Sequence, residues 1–173
     1  KGHVDLLRPA MKVQEELMGI PSFDTPDYSA PLSQEKAIIK NLKKVFLMVA
    51  GAGIQKFGPK IEEHQQLMLN AADILIEIYM AESAILRTEK NIKRSGEASQ
   101  KHQIEMCQLY LFNAVDLITN SAKSGIISFA EGDEQRMMLM GLKRFTKYTN
   151  YPNIAALRNS IADRVNKENA YCF

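Results

Sequence analysis

Charge of one sign is missing from this sequence of 173 residues: 22 Lys and Arg stand against 20 Asp and Glu, a formal net charge of +2. With acids and bases interspersed there is no large field to hold nucleic acid or an anionic bilayer. The densest basic stretch, Lys36, Lys40, Lys43 and Lys44, reads as the solvated side of a helix. Cysteine is also scarce. Cys107 and Cys172 lie far apart and form no CxxC pattern, so they exclude a disulfide scaffold and read as thiols in a reducing compartment, with a cytoplasmic location expected. No apolar run is long enough to span a bilayer, which takes about 18 residues, and nothing reads as a signal peptide. No segment alternates polar and apolar over a useful length, so no sheet is expected.

What remains is helical periodicity. At 46% hydrophobic and 24% charged residues the chain suits one domain that buries a sizeable core. On a helical wheel, Pro59 to Arg94 gathers Glu62, Gln66, Asn70, Asp73, Glu77, Thr88 and Asn91 into one narrow strip. The rest of its circumference is dominated by Leu, Ile, Met and Ala. A surface helix needs only about 100° of apolar stripe, so the pattern predicts neighbours on two or three sides and makes this helix, roughly 50 Å long, the central element.

In chain order, His3 to Met18 predicts a first helix ended by Gly19. Ile20 to Leu32 holds Pro21, Pro26 and Pro31 and predicts a strap without regular structure. Ser33 is a predicted N-cap with Glu35 in the first turn, favourable for the helix dipole. That helix closes at Gly58-Pro59, and so short a connection predicts an antiparallel pair. A third helix is expected from Glu97 or Ala98 to near Gly125. Ser128 to Glu131 has capping-box spacing and predicts the start of a fourth, through about Tyr148. Beyond Asn150-Tyr151-Pro152, a last helix carries Ile154, Leu157, Ile161 and Val165. The expected fold is all-α, an up-and-down four-helix bundle with flanking shorter helices: a leading helix and proline-rich strap over 1–32, and the bundle over 33–173. Because Lys1 leads straight into helix-forming sequence, the chain is expected to be a piece of a longer polypeptide.

Chemical motifs are sparse. Di-iron bundles use Glu-x-x-His, but the residues three before His64 and His102 are Ile61 and Ser99. Ala50-Gly51-Ala52-Gly53 lacks a preceding strand and has Lys56 where a dinucleotide loop needs its third glycine; small residues for close helix packing are the better reading. His64 and Glu82 interrupt the apolar arc of the long helix and are candidate buried polar groups. They lie about 27 Å apart along the axis and cannot form one site. Leu139 and Met140 fall off the stripe of Met137, Met138, Gly141, Phe145 and Tyr148, beside Lys143, Arg144 and Lys147. They are the candidate interface residues. No residue qualifies as catalytic, cofactor-binding or metal-binding.

Three stretches carry a resemblance: Leu6 to Met11 with Gln14 to Met18, Asn70 to Tyr79 leading to Ser83 through Thr88, and Leu157 to Ala162 with Tyr171-Cys172-Phe173. Together they resemble the C-terminal helical extension of acyl-CoA dehydrogenases of the very-long-chain type. The resemblance covers nearly the whole chain and rests on packing residues, not on a catalytic signature. It implies a parent oxidoreductase of fatty acid metabolism that carries FAD, with a catalytic glutamate and an aromatic-Glu-Gly-Thr-Asn motif in a flavin domain preceding this region. No Glu-Gly-Thr-Asn occurs here, so the segment is expected not to be catalytic by itself. Its implied partners are the flavin domain of the same polypeptide and a second copy in a homodimer. In some relatives a segment near the start of the extension binds membrane; here Ile20 to Leu32 has no basic residue, and no membrane role is expected. The alternative readings are a free-standing interaction bundle and, more weakly, a small-ligand or metal bundle enzyme.

Overall fold

The structure, a computed structural model, describes residues 5–19 and 27–170. Among them there is no strand. Six α-helices follow one another: α1 (Leu7–Met18), α2 (Ser33–Phe57), α3 (Gln65–Ser95), α4 (Lys101–Phe129), α5 (Gly132–Phe145) and α6 (Ile154–Glu168). The Asp5 carboxylate accepts from the amides of Leu7 and Arg8 at 3.1 and 3.3 Å, which caps α1. Pro9 sits in the first turn, where its missing N–H costs nothing. Most of the strap predicted over Ile20 to Leu32 lies outside the described residues.

The centre is held by α2 and α4, not by the long helix between them. Each packs on four other helices, α2 on α1, α3, α4 and α5 and α4 on α2, α3, α5 and α6, whereas α3 packs on α2 and α4 besides the adjoining turns. Two features of α2 explain its place. It buries Ile38, Ile39, Leu42, Val45, Met48 and Val49 over nearly its whole length, and its small residues admit neighbours. A Cβ built on Gly51 would stand 2.2 Å from Cβ of Ala10 in α1, and one on Gly53 would stand 2.6 Å from Cδ2 of Leu67 in α3. Normal carbon contacts need about 3.5–4.0 Å. The Ala-Gly-Ala-Gly stretch is therefore a close-approach surface, as its composition implies.

Several helix ends differ from expectation. Ser33 is not the cap of α2 but its first residue; its hydroxyl donates back to the Ala30 carbonyl at 2.6 Å. Leu32 holds the cap position with φ 59° and is buried. The long helix does not begin at Pro59: Gly58, with φ 52°, turns the chain into a 3-10 segment, Gly58–Glu63, and His64 breaks it from α3. Nor does α4 stop at Gly125. That glycine is helical and buried, with Val49 Cγ1 3.1 Å from where its Cβ would be, so it serves packing rather than termination. Ser128 then lies inside α4, donating to the Gly125 carbonyl at 2.7 Å, and the capping box is not formed. The last helix is confirmed over Ile154–Glu168, capped by Asn153, whose side chain accepts from the Ala156 amide at 3.1 Å. It lies on α4 with no residue fully buried.

Candidate functional site

The candidate polar residues turn out to be local and separate. His64 sits at the break between the 3-10 segment and α3, half-buried, its ring stacked on Phe57 at 3.4 Å between centroids. That is a packing role at a helix junction. Glu82 is not buried: its side chain is 37% exposed and pairs with Lys43 at 2.6 Å across the α2–α3 seam. Lys36 does the same with Glu89 about two turns away, also at 2.6 Å. The lysine cluster of α2 is thus partly a zip between two helices, with Lys44 pairing to Glu16 of α1.

The buried polar group that sequence reasoning missed is Glu35. It lies in the first turn of α2 as expected, but there it is 6% exposed and accepts from Gln108 Nε2 at 3.1 Å. Its spacing to Ile38, Ile39 and Leu42 (i+3, i+4, i+7) is the signal that puts it on the core face. Nearby, Thr88 and Cys107 share a hydrogen bond at 3.2 Å. Burial pushes the Cys107 thiol up, against the Thr88 hydrogen bond and with the help of the Glu35 charge. Burial also raises Tyr148, aided by Glu35 and Asp116. Tyr110 donates to Glu77 at 2.8 Å and is pushed up to about 12, by burial first and by that carboxylate second. Cys107, Tyr110 and Tyr148 are thereby held protonated. A nucleophilic cysteine needs the opposite setting, so the cluster organises packing between α2, α3 and α4.

Hollows between helices are modest. One of about 310 Å³ lies between α3 and α4, lined by Arg87, Thr88, Asn91, Gln103, Cys107 and Tyr110. Another, of about 190 Å³, lies under Lys40 on the α2–α3 seam. Ligand pockets run about 300–1,000 Å³, so these stand at or below the small end. Among the described residues no three His, Cys, Asp or Glu cluster as metal ligands, and no helix is long and apolar enough to cross a membrane.

Apolar surface is the more informative feature. In α5, Leu139 is partly buried against the core, whereas Met140 is 68% exposed. In α3 the exposure is more extensive. Leu67, Asn70, Ile74, Ile78, Ala81 and Ile85 face inward, and the opposite side presents Met68, Leu69, Leu75, Ile76, Tyr79, Met80 and Leu86, between 45% and 68% exposed. Of the two or three neighbours expected, α2 and α4 are present and both lie on its packed side, so that the opposite face is open among the described residues.

These features define an all-α domain whose surfaces suit packing against other protein and whose described residues gather no metal-ligand cluster. The chain belongs to the acyl-CoA dehydrogenase C-terminal domain family, whose profile matches residues 41–144. It is 38% identical over 149 residues to a probable acyl-CoA dehydrogenase of Bacillus subtilis (strain 168), covering 86% of this chain and 25% of that protein. It also matches the crystal structure of an acyl-CoA dehydrogenase from Bacillus anthracis, complexed with FAD, at 35% identity and a TM-score of 0.89. That match covers 99% of this chain and 28% of the other. The chain thus spans about a quarter of the length of these relatives. The α3–α4 hollow, at the small end for a drug-sized ligand, offers one guanidinium, Arg87, for a diphosphate.

Proposed function

We propose that this chain is the C-terminal helical accessory domain of a larger FAD-dependent acyl-CoA dehydrogenase of the very-long-chain type, acting in fatty acid β-oxidation. Its own role is structural: it supports and assembles the enzyme, while the catalytic base and the flavin contacts reside elsewhere in the polypeptide. The observation that carries this reading is the 0.89 TM-score over 99% of the chain against 28% of an acyl-CoA dehydrogenase complexed with FAD. A buried interior without a reactive cluster agrees with it. The leading helix α1 joins the bundle through the close approach of Ala10 to Gly51 of α2. The parent enzyme is a cytoplasmic homodimer, without nucleic acid or membrane as partner. Met140, with Leu139 beside it, is one point where the flavin domain or a second copy meets the bundle.

Deletion tests the structural role. The full-length enzyme lacking residues 1–173 should keep its flavin motif yet lose thermal stability or assemble differently. Unchanged stability and assembly, with flavin reduction by acyl-CoA abolished, would assign the domain a direct chemical role instead.

A further inference from the structure

We infer that the outward face of α3 is the surface on which the rest of the parent polypeptide docks; this rests on the reading just proposed. At about 100° per residue, Met68, Leu69, Ala72, Leu75, Ile76, Tyr79, Met80, Ser83 and Leu86 fill one arc opposite the buried residues of α3. No charged residue falls inside that arc over these 19 positions, some 27 Å of helix. With the large side chains each about half exposed, and such groups presenting on the order of 200 Å² when free, the strip amounts to roughly 700 Å². The largest apolar patch on a typical monomer is about 300–600 Å². One partner's share of a standard interface is about 800 Å². The strip therefore matches one side of a permanent interface, whose core is depleted in charge.

The occupant follows from length and charge. About three-quarters of each relative lies outside the region this chain matches. A domain tethered in the same chain meets this face at a high effective concentration. Just past Leu86 the same arc turns basic and exposed, with Arg87, Lys90, Lys93 and Arg94. The docking surface of the flavin-bearing part is accordingly apolar along most of its length and lined with carboxylates at the end that meets the C-terminal turns of α3. Lys60, Glu62 and Glu63 sit before the His64 break and are not part of this strip.

Thiol labelling of the full-length holoenzyme tests this. Ile76→Cys lies at the centre of the strip, and Asp133→Cys, at a side chain 98% exposed on α5, is the reference. Maleimide labelling at each site, resolved by peptide mass spectrometry, is compared between native and guanidinium-unfolded enzyme. Native protection of at least tenfold at position 76, with little at 133 and no change on dilution, is the expected result. Equal labelling at both sites overturns the inference. Protection that disappears on dilution in step with dissociation of the oligomer overturns it in favour of a second copy. Flavin content of the same preparation separates the two levels: absence of FAD defeats the proposed function, whereas full FAD with an unprotected position 76 defeats only the docking surface.

Discussion

Gly51→Ala should destabilise the domain although it places the best helix former in the interior of α2. By propensity alone the change would stabilise by about 1 kcal/mol. The new Cβ, however, would stand 2.2 Å from Cβ of Ala10. Restoring an ordinary carbon contact requires α1 to retreat by roughly 1.5 Å. Neither atom can rotate away, because both are fixed to their backbones. Overpacking of this kind costs about 1–3 kcal/mol, and with no rotamer to relieve it the upper end applies, leaving a net loss of about 2 kcal/mol. For a domain of this size that is a fall of roughly 4–8 °C in Tm. The clash has one partner, so Ala10→Gly should suppress it. Urea denaturation of the two single variants and the double variant should give a favourable coupling of about 3 kcal/mol, the clash term itself. If Gly51→Ala raises the midpoint, or the two changes are additive, α1 does not rest on α2 at this point.

Other substitutions separate surface from core. Glu82→Gln should cost only about 0.2–1 kcal/mol, because its pair with Lys43 is half-exposed, and the difference should shrink in high salt; a loss above 2 kcal/mol would mean that Glu82 is buried. Glu35→Ala should cost about 1–3 kcal/mol by leaving Gln108 without its buried partner, as read from denaturation midpoints at neutral pH. Met140→Ser should change stability by less than about 0.5 kcal/mol while Leu139→Ser, which touches the core, should cost more than 1 kcal/mol; equal effects would contradict their different burial. The pH dependence follows from Cys107, whose folded pKa lies above its ordinary 9.0. The thiol's contribution to stability is complete below that value and is lost as pH rises toward the folded one. Cys107→Ala should therefore flatten the decline in midpoint above pH 9, and an unchanged slope would show that the thiol ionises freely in the fold.

Much of the architecture was legible because helices announce themselves by periodicity and by glycine and proline. The end of α2 at Gly58, the end of α3 at Ser95-Gly96 and the last helix were read correctly for that reason, whereas Pro59 opens a 3-10 segment and not the long helix. The helix ends that went astray involve residues with two physical uses. Gly125 looks like a terminator but is a contact surface for Val49, and Ser128 looks like a cap but bonds back to the Gly125 carbonyl inside α4. Glu35 was placed by its charge, although its spacing to Leu42 put it inside. The enclosure expected of α3 was inferred from an apolar arc, and periodicity states only that such an arc needs cover. It cannot say whether the cover comes from these residues or from protein beyond them. Likewise no motif in the chain points to flavin chemistry, so function was legible only through the resemblance in packing residues.

The central claim, that this domain supports a flavoenzyme without performing its chemistry, is tested most directly by flavin stoichiometry. The chain of residues 1–173 and the full-length polypeptide are purified in parallel, and each is assayed for visible flavin absorbance and for bleaching on addition of a long-chain acyl-CoA. A colourless domain inert to acyl-CoA, and a yellow full-length enzyme that bleaches, are the expected results. Stoichiometric FAD on the isolated domain, or turnover of any acyl-CoA by it, would contradict the account.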